Sequence, residues 1–163
     1  MAVTIKIILT GGTIDKHYNQ SNGELDFKES YVSEMLTLGR NKTDISIEQV
    51  MLKDSLQMSD DDRQTILKAC KKSNEDKILI THGTDTMVQT AQTLAEAKLN
   101  KSIVLVGAMV PFVFKHSDAL FNLGFALGAL QTCSSGVYIA MNGALFDWDK
   151  VLKNLKLRQF ESI

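Results

Sequence analysis

Short apolar runs alternate with amphipathic stretches along this chain, and that alternation most limits the folds open to it. Val3 to Leu9, Lys77 to Thr81, Ile103 to Val106 and Gly136 to Met141 are strand-length and dominated by Ile, Leu and Val. Runs apolar on both faces suit strands buried inside a parallel sheet. Between them lie helix signals. Ser59 precedes three aspartates, and side-chain oxygens and negative charge both suit the free N–H groups of a helix start. That helix is expected to reach about Lys72. Thr86 to Lys98 places Met87, Thr90, Ala91, Leu94 and Ala97 on one helical face. Ser117 is expected to cap a helix running through Leu120, Leu123, Ala126, Leu127 and Leu130, and Ser30 a short one ending at Gly39. Asp44 to Leu52 alternates like a strand. Residues 15 to 29 are polar, with Asn19-Gln20-Ser21-Asn22-Gly23 as turn chemistry, so a loop or irregular hairpin is expected there. Gly143 to Ile163 shows no clear pattern. The order predicts an α/β domain with a mainly parallel sheet and helices on both faces.

The 163 residues suit one domain, 1–163, with a real core. Eighteen basic residues against nineteen acidic ones offer nucleic acid or a membrane surface no electrostatic hold. No apolar run is long enough to span a bilayer, and no secretory signal precedes the first strand. Cys70 and Cys133 are too few and too far apart for a disulfide framework or a zinc site. They read as buried thiols of a cytoplasmic protein, and neither metal nor cofactor is expected. Phe112, Val113 and Phe114, after the lone Pro111, are either an exposed apolar contact or core.

Two segments carry the chemistry. Ile7-Ile8-Leu9 runs into Thr10-Gly11-Gly12-Thr13-Ile14, and Ile78-Leu79-Ile80 into Thr81-His82-Gly83-Thr84-Asp85-Thr86. Each reads as a buried strand ending in a glycine turn that presents hydroxyls. Glycine there lets the backbone approach a small ligand and aim N–H groups at it. Strand ends are where open α/β sheets bind ligands, so Thr13, Thr84 and Asp85 would share one pocket. Taken singly, a threonine after a strand is a turn former or helix cap, and Asp85 suits the N-cap of the helix that follows.

Together the segments resemble the T-G-G-T-I and H-G-T-D-T motifs of the bacterial-type L-asparaginase family, in order and at about the right distance. The resemblance implies a flavodoxin- or Rossmann-like three-layer domain hydrolysing L-asparagine or a similar small amide. It implies Thr13 as nucleophile, with Thr84, Asp85 and a lysine assisting. Asp85 would also contact the substrate's amino group, and His82 would be structural. The family's Met-Asn…Asp…Val-x-Lys segment is similar to the run from Met141-Asn142 through Asp147-Trp148-Asp149 to Val151-Leu152-Lys153, which makes Lys153 the catalytic lysine, with Lys150 and Lys156 as competitors. Asp54-Ser55-Leu56-Gln57-Met58 resembles the segment receiving the substrate carboxylate. Ser55 is the candidate there, beside Asp54, and Leu56 replaces a polar residue. Gly107-Ala108-Met109 resembles the segment whose carbonyl, here that of Ala108, faces the leaving amide. Gly11, Gly12 and Gly83 would line the pocket. A lid tyrosine is expected at Tyr18, with Tyr31 the alternative. The resemblance spans only the family's N-terminal domain and implies a homodimer or homotetramer. Two other readings are a non-catalytic amino-acid-binding domain and a subunit of a larger amidase.

Overall fold

The structure, a computed structural model, describes residues 3–163. A six-stranded sheet forms its centre, built from β1 (Thr4–Gly11), β4 (Asp44–Lys53), β5 (Lys77–Thr81), β6 (Ser102–Val106), β7 (Gly136–Met141) and β8 (Ala144–Asp147). Their order is β4-β1-β5-β6-β7-β8. The first five are parallel, and β8 returns antiparallel along β7.

The period-2 alternation of strand side chains sorts the apolar residues into two layers. Ile5, Ile7, Leu9, Leu79, Val104 and Val106 face α1 (Val32–Leu38) and α4 (Ala119–Thr132). Ile8, Ile78, Ile80, Ile103, Leu105 and Ile139 face α2 (Asp60–Lys72) and α3 (Met87–Glu96). The expected three-layer α/β architecture is therefore present.

Strand β1 pairs with β4 on one side and β5 on the other. The chain thus winds outward in one direction, then returns and winds in the other. The crevice at the carboxyl ends of β1 and β5 is the switch point, where such sheets bind ligands. Both motif segments end there.

Helix boundaries follow local chemistry. Ser59 and Asp62 form a reciprocal capping box at the start of α2. The caps expected at Ser30 and Ser117 move on by one residue, to Tyr31 and Asp118. The serine hydroxyls still accept from the first-turn amides of Val32 and Ala119. Residues 15 to 29 resolve into a hairpin of β2 (Lys16–Tyr18) and β3 (Leu25–Phe27). The unpatterned tail contains β8 and a separate two-stranded sheet, β9 (Val151–Asn154) and β10 (Gln159–Ser162). Asn142 and Gly143, both at positive φ (57° and 73°), form the two-residue turn between β7 and β8, the backbone a tight hairpin needs.

Cys70 is buried, whereas Cys133, at the C-cap of α4, is only partly buried against the core. Phe112 is half-buried with its ring 5.9 Å from that of Tyr31, while Val113 and Phe114 are exposed. Among the described residues no helix is long and apolar enough to cross a membrane, and no cluster of three His, Cys, Asp or Glu could hold a metal ion.

Candidate active site

Two glycines let the strand-end turns interlock. Gly12 has φ 84°, and a Cβ on it would lie 2.3 Å from the Gly83 nitrogen. A Cβ on Gly83 would lie 2.5 Å from Ser55 Oγ. Any side chain at either position would push the turns after β1, β4 and β5 apart. The Gly12 amide donates to the Lys53 carbonyl at 2.9 Å, and the His82 amide to the Val106 carbonyl at 2.9 Å. Thr13, Ser55 and Thr84 are thereby carried on turns packed against one another. Thr13 is half-buried.

Lys153 reaches this crevice from β9. Its Nζ donates to Thr84 Oγ1 at 2.7 Å and to Asp85 Oδ1 at 2.6 Å. Thr84 is 6% exposed and the Lys153 side chain 18%, whereas the Asp85 side chain is 38% exposed, so the hydroxyl and the ammonium are shielded and the carboxylate opens to solvent. The competing lysines lie elsewhere. Lys150 is exposed and pairs with Asp147 at 3.6 Å, and Lys156 is exposed in the turn after β9. Asp85 does not cap α3. The N-cap is Thr86, without a side-chain cap bond, because the Asp85 carboxylate is turned to Lys153. An open cleft of about 450 Å³ adjoins the triplet, lined by Thr84, Asp85, Gln89, Val151 and Lys153 among others.

Ser55 is buried. Its hydroxyl accepts from the Thr86 amide at 3.4 Å, and its carbonyl accepts from Thr86 Oγ1 at 2.8 Å. Neighbouring Asp54 accepts from the Leu56 amide and is ion-paired to Lys16. Burial alone would raise the Asp54 pKa. The hydrogen bonds from Lys16 and Leu56, with the charges of Lys16 and Lys153, outweigh burial and hold it below the usual carboxylate range. Lysines and carboxylates therefore alternate around the crevice. Leu56, in the polar position of the resemblance, is exposed.

His82 is buried beneath the site. Burial pushes its pKa down to about 4, so the ring is neutral. Nδ1 lies 2.7 Å from the Gly83 carbonyl, which can only accept, so Nδ1 carries the proton. Nε2 then accepts from Thr90 Oγ1 at 2.7 Å. Both ring nitrogens are thus engaged within the protein. Tyr18 is not brought to the triplet. It is exposed on β2, with its hydroxyl toward the hairpin's own tip at Gly23. Tyr31 packs its ring against Phe112 instead, tilted by 42°.

Two residues that sequence reasoning missed hold the segment after β6. Asp118 accepts from the amides of Met109 (2.9 Å) and Val110 (3.0 Å), and Asn122 Nδ2 donates to the Gly107 carbonyl at 3.0 Å. The Gly107 and Met109 groups flanking Ala108 are thus engaged. Asn122, a polar residue amid the apolar positions of α4, was the signal available.

A hydroxyl held against a lysine and flanked by a carboxylate is polarised toward losing its proton, and backbone amides at glycine turns can hold a developing oxyanion. These parts lie at the switch point of a parallel α/β sheet, the place where such sheets bind ligands. The chain belongs to the asparaginase family: residues 4–162 match the family described as Asparaginase, N-terminal. It is 32% identical over 91% of its length to the probable periplasmic L-asparaginase of Haemophilus influenzae, of which it covers 46%. The solved thermostable L-asparaginase from Thermococcus kodakarensis superposes with TM-score 0.86 at 29% identity, covering 99% of this chain and 51% of that one. The probable cytoplasmic L-asparaginase from Campylobacter jejuni gives 0.82 at 31%, covering 98% and 53%. The chain thus spans about half the length of the relatives it matches.

Proposed function

We propose that the chain hydrolyses L-asparagine, or a similar small amide, to the acid and ammonia. The observation that carries this reading is the Lys153 ammonium placed on both Thr84 Oγ1 and Asp85 Oδ1. A pure binding site has no need of a lysine on a buried hydroxyl. In this reading Thr13 attacks the side-chain carbonyl. For this step Lys153 acts as the neutral amine. The Thr13 proton passes by way of Thr84 to Lys153, and Asp85 steadies the ammonium so formed. The proton goes on to the amide nitrogen, which leaves as ammonia before water hydrolyses the acyl-threonine. The Gly12 and Gly83 turns hold the oxyanion. Ser55, beside Asp54, receives the substrate carboxylate, Asp85 contacts its amino group, and the Ala108 carbonyl faces the leaving amide. The β2–β3 hairpin acts as a lid that delivers Tyr18 and excludes water until the second half-reaction.

A second assignment, Thr84 as nucleophile, is favoured by one observation: Thr84 is the hydroxyl that Lys153 touches. Ammonia release from L-asparagine and L-glutamine by wild type, Thr13→Ala, Thr84→Ala and Lys153→Met tests the activity. Mass spectrometry of the trapped acyl-enzyme distinguishes the threonines. Release by wild type, reduced about 10²–10⁴-fold in Lys153→Met, is the expected result. No release by wild type, with L-aspartate still bound, would replace the enzyme by an amino-acid-binding domain.

The same reading takes the chain as a homodimer or homotetramer. Phe121 on α4 and Leu155 and Leu157 beyond β9 are exposed apolar groups that association would cover. It also places the chain in the cytoplasm, where free thiols persist, although relatives are named for both periplasm and cytoplasm.

A further inference from the structure

Lys153 sits on a two-stranded sheet that pairs with no strand of the central one. An isolated two-stranded hairpin is marginal in water, so its attachment decides where the lysine points. Val151 and Phe160 bury their side chains in the core, an apolar contact that fixes no direction. The directional attachment is a chain of hydrogen bonds. Phe160, which pairs directly across from Lys153, donates its amide to Asn142 Oδ1 at 2.9 Å. The Asn142 amide donates to Asn122 Oδ1 at 3.3 Å. Asn122 is fully buried, and its Nδ2 donates to the Gly107 carbonyl at 3.0 Å and to Asp118 Oδ2 at 2.9 Å.

Asn142 occupies a positive-φ turn position (57°) where glycine would serve as well or better. The turn accepts asparagine or glycine here, and only the asparagine side chain supplies the bond to Phe160. We infer that Asn142, held by Asn122, is the positioning residue that sets Lys153 against Thr84 and Asp85 and fixes its hairpin relative to the Gly107–Met109 segment. This rests on the hydrolytic reading above. A lysine on a four-carbon stem delivers its ammonium accurately only from a fixed backbone, and a displacement of about 1 Å can cost 10²-fold in rate.

Asn142→Gly isolates the side chain, because glycine tolerates the turn. Asn142→Asp keeps the acceptor oxygen and serves as the rescue. In ammonia release from L-asparagine, Asn142→Gly is expected to lower kcat about tenfold or more with KM within about threefold, and Asn142→Asp to recover most of kcat. Amide hydrogen exchange at Phe160, compared with Ile80 in the central sheet, is read alongside. Acceleration confined to the β9–β10 hairpin in Asn142→Gly, and absent in Asn142→Asp, supports the assignment. Unchanged kcat in Asn142→Gly, no rescue by Asn142→Asp, or equal acceleration at Ile80 would overturn it while leaving the hydrolytic reading intact. A wild type that releases no ammonia would sink the hydrolytic reading, and this inference with it.

Discussion

Asp15 should make the folded chain less stable as pH rises through the weakly acidic range. It follows Thr13 by two residues and is fully buried. Its Oδ1 accepts from Ser30 Oγ and from the Tyr31 amide, both at 2.9 Å, while its buried Oδ2 has no partner. Asp15 therefore ties together the two ends of the β2–β3 hairpin, at residues 15 and 30–31. Burial raises its pKa from 3.8 to about 6, against the opposing effect of the Tyr31 and Ser30 hydrogen bonds. Between those two values the folded protein binds more protons than the unfolded chain, so stability falls as pH rises. A shift of about 2 units corresponds to about 3 kcal/mol. This stability is fully present below about pH 3.8 and lost as pH passes about 6. The carboxamide introduced by Asp15→Asn does not titrate. Any fixed cost of that unpartnered amide is the same at every pH and cancels in the comparison. Urea unfolding of both proteins from about pH 3.5 to 8 should show wild type losing about 3 kcal/mol relative to Asp15→Asn over that span. Parallel curves would refute the burial argument. Divergence of the opposite sign would mean that Ser30 and Tyr31 stabilise the carboxylate more than burial penalises it.

Gly12→Ala should lower stability by about 2 kcal/mol or more, since φ 84° disfavours a side chain and the new Cβ meets the Gly83 backbone; a wild-type thermal melt would contradict this. Thr90→Val leaves His82 Nε2 without its hydroxyl donor and should cost about 1–3 kcal/mol in denaturant unfolding. The His82 ring should stay neutral through pH 5, with a midpoint near 4 by NMR, so a profile of ammonia release with a limb between pH 5 and 8 must be traced to another group. Lys16→Met removes the partner of Asp54 and should raise the Asp54 pKa toward, or past, the ordinary carboxylate value, measurable by carbon-detected NMR titration.

The parallel sheet was legible because burial on both faces leaves no choice of residue. Lys77–Thr81 and Gly136–Met141 match β5 and β7 residue for residue. Ser59 with Asp60, Asp61 and Asp62 marked α2 for an equally local reason, the capping box. The β7–β8 hairpin was also locally encoded, since Asn142-Gly143 is strong turn chemistry, but Ala144 to Asp147 sits at the sheet edge with alternating exposure and lacks the apolar run that marks an interior strand. Tyr18 could not be placed from sequence, because the distance from a hairpin to a crevice depends on packing, not on spacing along the chain.

The site followed the same division. Thr13, Thr84 and Asp85 lie at most four residues beyond interior strands, so once β1 and β5 are neighbours topology carries all three to the same end of the sheet. Lys153 is 68 residues from Asp85, and Lys150, Lys153 and Lys156 are equally cationic in sequence. Strand alternation separates them only when the strand's anchor is known. Val151 is buried, so Leu152 faces outward and Lys153 returns to the side of Val151. Lys150 and Lys156 flank the strand, where no such constraint acts. The Val-x-Lys spacing of the resemblance singled out Lys153, and the structure supplies the physical reason in the apolar anchor two residues before it and in the pairing of its strand at Phe160. Its position is therefore more sensitive to the support of a peripheral hairpin than those of the two threonines, which the central sheet fixes directly.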